Sequence, residues 1–487
     1  LLNTGLKATT AGNTLRLASI LNSNMVIQQA KPFRVWGYAE PASIVTVLTS
    51  WKEKVSVKVD KAGAWKLEIK VPAVKGGDFT EHTITVINKS HKEILTNILI
   101  GEVWLCSGQS NMDMSMQPVQ PWHNGVKDHT TEISKADFPF IRLFKVKKET
   151  SVNLRDTLSG DWLLCNPANV AEFSGVAYYF GRKLFYELNI PIGLVQAAYG
   201  GASCQAFMKK EVLEADTVLK KRYLDPYYEN PEARKNELRP TLIYNAMIHP
   251  LINLSIKGVL WYQGESNAGE IKLYPLLNAT LIKSWRNDFG QPDLPFFYVQ
   301  MTPYNWKNNN PALNNYARFR EAQESILSIV HNTGMVCTMD VGEPDNIHPV
   351  NKKPVGERLA ALALHNSYGL KRIICNGPVF DRMTIEGDRV KIQFKYADGL
   401  MTSDGLSPRH FFIAGPDKVF RKAQAEIHAN EVWLYAKDIT KPAAVRYAFT
   451  NDCVSNLQSK SGFPALPFRT DNWNDEQVIF SVISETK

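Results

Sequence analysis

The chain has 487 residues, 44% of them hydrophobic and 21% charged, a globular composition too long for one core, so two or three domains are expected. The net charge of +8, from 56 basic and 48 acidic residues, is mild at this length, and no run of five or six Lys or Arg occurs, which excludes a nucleic-acid partner. No apolar stretch reaches the roughly 18 to 20 residues of a membrane span. Cys106, Cys165, Cys204, Cys337, Cys375 and Cys453 form no C-x-x-C pair and no zinc spacing, so a disulfide framework is not expected. The first residue is Leu1, which fits a removed signal peptide and a periplasmic or secreted location.

Residues 1–14 are expected to be extended or disordered. Residues 15–98 read as a β domain. Val35–Tyr38, Ser43–Leu48, Lys54–Val59, Trp65–Val71 and Thr83–Ile87 are short and rich in β-branched or aromatic residues, and Gly- and Pro-containing turns separate them. Residues 99–368 change texture. Strand-like runs at Gly101–Cys106, Pro191–Ala198, Ile256–Tyr262, Phe296–Gln300 and Met335–Val341 alternate with helix-like stretches at Gly175–Leu188, Tyr274–Asn287, Tyr316–Val330 and Pro354–Asn366. That alternation implies an α/β domain with a mostly parallel sheet and helices on both faces. Met112 to about Phe173 reads as irregular loops. Residues 369–487 return to short strands, at Arg389–Tyr396, His410–Ile413, Glu431–Tyr435 and Ala444–Phe449, and form a second β-rich flank.

The chemistry gathers where apolar runs of the α/β region stop. Val103–Cys106 gives way to Ser107-Gly108-Gln109-Ser110-Asn111, a buried strand feeding a tight polar turn. Ser110 is the candidate nucleophile, and a helix over Met112–Met116 would bring free N–H groups near it. Its base is sought in Asp345-Asn346-Ile347-His348, where a carboxylate three residues before an imidazole can fix the tautomer and leave Nε2 free. Gly200-Gly201 follows Ile192–Ala198 and lets a backbone N–H approach a developing oxyanion. Trp261–Asn267 supplies amides at Gln263 and Asn267 as further donors, with Glu265 as an orienting residue. Parallel strands would put all four loops on one edge. Trp122, Tyr304 and Trp306 are candidates for a sugar platform. His249 reads as a packed histidine and Arg320–Gln323 as a helical ion-pair or capping segment.

These blocks resemble the sialate O-acetylesterase type of SGNH (GDSL-like) hydrolase. SGQSNM, YGGAS, WYQGESN and DNIHP match its four blocks, and the similarity extends to SILNSNMVIQQAKPFRVWGYAEP near the start and VRYAFTNDCVSNLQSKSGFPALPFRTD near the end. The resemblance implies a three-layer α/β/α hydrolase domain between two β domains. It implies a Ser-His-Asp esterase with no cofactor or metal, Ser110 as nucleophile, His348 as base and Asp345 as its orienter. The oxyanion hole would comprise Ser110, Gly201 and one or both of Gln263 and Asn267. The third block departs from the Gly-x-Asn-Asp of many SGNH enzymes. The expected substrate is an acetylated carbohydrate, first of all 9-O-acetylated sialic acid. Acetylated xylan or xyloglucan is the alternative, and a non-catalytic glycan-binding protein the rival of a different class.

Overall fold

The computed structural model describes residues 15–233, 235–305, 315–474 and 479–480. The expectation for residues 1–14 and the candidate Trp306 lie outside them. The chain is organised around one long strand, β1 (His91–Gly108). Its first part pairs antiparallel with His82–Asn88, and its middle pairs parallel with Val26–Gln28. Its last part enters the sheet of the α/β region. The boundary expected at 98/99 therefore falls inside a continuous strand. The N-terminal strands form two antiparallel sets, Arg16–Leu17, Phe33–Tyr38 and Ala64–Ile69 in one, Ile44–Thr49, Lys54–Lys58 and His82–Asn88 in the other. Glu102, buried in β1, accepts from Gln28 Nε2 at 2.9 Å and Gln29 Nε2 at 2.7 Å, which ties this part to the central sheet.

The central sheet continues with β2 (Phe138–Lys145), β3 (Trp162–Cys165), β4 (Ile192–Ala198), β5 (Gly258–Tyr262), β6 (Phe296–Val299) and β7 (Thr333–Val336). Spatial order is β3-β2-β4-β1-β5-β6-β7. All neighbours run parallel except β3 against β2. Strands β2 and β3 lie in the stretch expected to be loops. Charged Arg142 and Lys145 break the apolar pattern there, yet Arg142 is buried within the strand, donating to Asn97 Oδ1 at 2.9 Å. Strand β7 ends at Val336, short of the expected Val341, because Thr338 turns its hydroxyl to the carbonyl of Gln300 at 2.9 Å and Val341 N folds back to Thr338 O.

Residues Val103–Cys106 are essentially fully buried and alternate between two cores. Val103 and Leu105 join the core of α3 (Tyr274–Asp288) and α4 (Asn315–Ile329). Trp104 and Cys106 join that of α2 (Gly175–Leu188) and α5 (Lys353–Asn366). A strand buried on both faces reads as a continuous apolar run, which is why it was visible. In the C-terminal part, Val379–Glu386, Arg389–Lys395, Glu431–Tyr435 and Gln424–His428 form an antiparallel sheet, and Phe411–Ala414 pairs with Val419–Lys422 and Ala444–Tyr447 in another. This part holds on to α4, where buried Arg320 donates to the carbonyls of Thr450 and Asn451, while Glu321 pairs with Arg469. All six cysteines are buried and free.

Helices α2 and α5 meet at Gly356, where a Cβ would lie 2.6 Å from the carbonyl oxygen of Val176 and 2.7 Å from Tyr179 Cβ. Backbone stands on one side of that contact, so the helices themselves must separate to admit a methyl. Gly356→Ala is expected to destabilise the fold by about 1–3 kcal/mol, read as a lower midpoint in denaturant unfolding; unchanged stability would contradict the close approach.

Candidate active site

Three strands of the sheet end level with one another. Gly108 is in register with Ala198 on one side and Tyr262 on the other, so three of the four expected loops leave the sheet at one edge. The fourth leaves β7. At the first, Gly108 adopts φ +135, and a Cβ there would lie 2.2 Å from the carbonyl oxygen of Tyr262. Only glycine fits both demands. Gln109 then donates its N–H to that carbonyl at 2.9 Å, and a single helical turn, α1 (Ser110–Asp113), follows. The helix expected over Met112–Met116 thus begins at Ser110 itself and stops before Met114, whose ψ of 114 leaves the helical region. Ser110 is half-buried, while Asn111 and Met112 beside it are fully buried.

The loops are stitched together by amides. Gln109 Oε1 accepts from Gln263 Nε2 at 3.1 Å, Gly264 N at 3.2 Å and Ser266 N at 3.3 Å. Gln263 Nε2 also donates to Asn267 Oδ1 at 2.8 Å and to the carbonyl of Ala202 at 3.3 Å. Asn267 Oδ1 accepts from Cys204 N at 2.9 Å, and its Nδ2 donates to Gln205 Oε1 at 3.1 Å and Glu270 Oε2 at 2.8 Å. Gln263 and Asn267 are both essentially buried, with their amide hydrogens spent on these bonds. An amide nitrogen has two hydrogens, so here the expected oxyanion donors Gln263 and Asn267 direct theirs to protein acceptors. Their work is to lock the first, second and third loops into one body.

Gly200 and Gly201 line the open side. A Cβ on Gly200 would lie 4.0 Å from Ser110 Cβ and 3.9 Å from Asp113 Oδ2, so this glycine keeps the space beside the nucleophile clear. Gly201 takes φ +74 and its carbonyl accepts from Ser266 Oγ at 2.7 Å. Asp113 holds Lys148 Nζ at 2.6 Å, and that lysine side chain is 45% exposed.

His348 reaches the site from the fourth loop. Its Nδ1 lies 3.0 Å from the carbonyl oxygen of Trp122. A carbonyl only accepts, so Nδ1 carries the proton and Nε2 keeps the lone pair of a base. Burial pushes the imidazole below its ordinary pKa of 6.5, and the Lys352 ammonium lowers it further, while the Trp122 carbonyl pulls the other way. Asp345 is not the residue at Nδ1. Glu343 Oε2 accepts from Asn346 Nδ2 at 2.8 Å, Asn346 N donates to Glu343 O at 2.9 Å, and His348 N donates to Asn346 Oδ1 at 3.0 Å. That tight turn leaves Asp345 at its exposed tip. In this geometry the acceptor at Nδ1 is a main-chain oxygen that no side-chain motif can reveal, and the expected Asp345 stands apart from the ring.

The nucleophile and base loops converge. Asn111, next to Ser110, donates through Nδ2 to the carbonyl of Ile347, next to His348, at 3.1 Å. No direct hydrogen bond joins Ser110 Oγ to the His348 ring; such bonds in unliganded sites commonly tighten only when substrate binds. Trp122 is 72% exposed beside His348. Tyr304 instead packs near Tyr316, and His249 faces the carbonyl of Arg155 away from these loops.

Comparison with known proteins gives the family. The chain is a carboxylic ester hydrolase of the carbohydrate-esterase class. A family model described as carbohydrate esterase, sialic acid-specific acetylesterase, matches residues 100–365, and the chain belongs to that family. Sialate O-acetylesterase of Mus musculus is 31% identical over 427 residues, covering 76% of this chain and 76% of the relative. That of Homo sapiens is 30% identical over 421 residues, covering 79% and 77%. A carbohydrate acetylesterase from Xanthomonas citri of known crystal structure superposes with a TM-score of 0.83 at 32% identity, covering 94% of this chain and 100% of its own.

Two outcomes test this geometry. Asp345→Asn is expected to keep kcat within about threefold of wild type, since an exposed carboxylate orients nothing; a loss of the roughly 10⁴-fold seen when a buried triad carboxylate is neutralised would restore it to the site. The acid limb of kcat/KM is expected below pH 6.5, because a depressed imidazole pKa keeps the base neutral further into acid. A limb above 6.5 would contradict the desolvated environment.

Proposed function

We propose that the chain removes O-acetyl groups from carbohydrate through an acyl-enzyme on Ser110, with His348 as general base and acid, on an SGNH-type α/β/α scaffold. The observation that carries this reading is the convergence of the nucleophile and imidazole loops through Asn111 and Ile347. His348 Nε2 takes the proton as Ser110 Oγ attacks the acetyl carbonyl. The backbone N–H groups of Ser110 and Gly201 hold the tetrahedral oxyanion. His348 then protonates the departing sugar alkoxide, and water repeats the sequence to release acetate. The Trp122 carbonyl serves as the orienting acceptor.

The sugar proposed first is 9-O-acetylated sialic acid. The similarity to sialate O-acetylesterases supports it, and so does Lys148, a half-exposed ammonium held beside the nucleophile turn by Asp113. A sialate carboxylate would find a cation there. Trp122 offers an exposed ring against which a pyranose can stack. Acetylated xylan or xyloglucan lacks that carboxylate and remains the alternative.

Ser110→Ala is expected to abolish acetate release while leaving the unfolding midpoint unchanged. His348→Ala should be about as damaging and the double variant little worse, because the two act as one unit. Additive losses would sink the pairing. Acetate release from O-acetylated sialic acid, compared with acetylated xylan and xyloglucan, decides the glycan. Lys148→Met should raise KM for the sialic acid and leave the neutral glycans unaffected; equal effects on all three would favour the neutral substrates.

A further inference from the structure

Lys352 stands four residues past His348 and is only 1% exposed. A buried ammonium is costly unless it is paired and hydrogen-bonded. Its hydrogen bond among the described residues goes to Asn111 Oδ1 at 2.5 Å. The other end of that amide, Asn111 Nδ2, donates to Glu265 Oε1 at 2.6 Å. Asn111 is thus gripped between a cation and an anion, with its oxygen turned to one and its nitrogen to the other. The polarity is not interchangeable: a lysine can only donate and a carboxylate, when ionised, can only accept. Turning the amide over would set donor against donor and acceptor against acceptor. The same Nδ2 makes the bond to Ile347 that joins the nucleophile and base loops.

We propose that Lys352 is a positioning residue of the esterase, which with Glu265 fixes the Asn111 amide so that the Ser110 and His348 loops stay in register, and which sets a buried cation behind the base loop. This inference rests on the assignment of Ser110 and His348 given above.

The charges facing Lys352 are few. Glu265, from the loop after β5, and Glu343, from the loop after β7, both favour its charged form, against a burial that pushes its pKa down to about 7. The Tyr262 ring of β5 lies 5.6 Å from Nζ. His348 on its own loop and His123 on the loop after α1 are the two bases whose pKa it lowers. Helix α2 presents Gly175 near the Lys352 side chain and no charge. Below pH 7 the lysine is mainly the cation, so its pressure on the imidazole is greatest where the enzyme would otherwise lose its base. Glu265 has a raised pKa from burial, and its Oε2 is shut off from solvent without a hydrogen-bond partner among the described residues. Its charge favours the ammonium form of Lys352.

The test is the pH profile of kcat/KM with 4-nitrophenyl acetate for wild type, Lys352→Met, Lys352→Arg and Glu265→Gln, each checked for folding by unfolding midpoint. Lys352→Met is expected to lower kcat about 10²-fold, the scale of a small misplacement of reacting groups, with KM nearly unchanged and the acid limb moved to higher pH. Lys352→Arg keeps a cation and should leave the limb in place even if kcat falls. Glu265→Gln keeps an acceptor for Asn111 but removes the counter-ion, so Lys352 is less often charged and the limb should again move to higher pH. That variant keeps the test decisive if Lys352→Met fails to fold. An unmoved limb in folded Lys352→Met, or in Glu265→Gln when the former does not fold, would overturn the inference. Ser110→Ala assayed alongside separates the two claims: if it is inactive while the limbs stay fixed, only the role of Lys352 falls, and if it is fully active, the assignment of the nucleophile falls.

Discussion

The side chain of Asn111 is buried where three loops meet, and its amide bonds to the other two. It donates to the third loop at Glu265 and to the base loop at Ile347, and it accepts from Lys352. Each bond is modest alone, about 1 kcal/mol net and more where one partner is charged. Their importance lies in where they sit. Ser110 is one residue from Asn111, and His348 is one residue from Ile347, so the amide sets the spacing of the two groups that would react. Asn111, Ile347 and Lys352 thereby set how the two loops sit against one another.

The scaffold makes that meeting possible. Parallel pairing brings the ends of β1, β4 and β5 level, and Gly108 lets the chain turn out of the sheet where a side chain would strike Tyr262. The amides of Gln109, Gln263 and Asn267 then bind three loops into a single rigid body. The base loop has its own supports. It leans on a one-turn network of Glu343 and Asn346, and on the segment carrying Trp122, whose carbonyl sets the tautomer of the imidazole. Because that same residue exposes its indole beside the site, a sugar stacked on it would bear on the segment that orients the base.

Much of this was legible in the sequence. The continuous apolar run of β1, the long helices α2 to α5 and the polar turns that follow the strands could be read because burial on both faces and helical periodicity leave strong patterns. Ser110 and His348 could be singled out because both follow such runs. What escaped had physical reasons. Asp345 matched a spacing that permits a contact with His348, but the Glu343–Asn346 turn points it to solvent. Gln263 and Asn267 carry the right donors, but sequence does not say which hydrogens are already spent. Strand β2 was missed because Arg142 and Lys145 interrupt its apolar pattern, and β3, Trp162–Cys165, because four residues are too short a run to stand out. Lys352 was passed over because a lysine reads as surface, and only its position behind the nucleophile loop shows otherwise.

The most direct test of the central claim is to trap the acyl-enzyme geometry with a serine-reactive phosphonate and locate the adduct by mass spectrometry and crystallography. A single adduct on Ser110, with its phosphoryl oxygen within hydrogen-bond reach of the backbone N–H groups of Ser110 and Gly201 and with His348 Nε2 against Ser110 Oγ, is the predicted result. An adduct on another residue, or one on Ser110 with His348 turned away from it, would contradict the account.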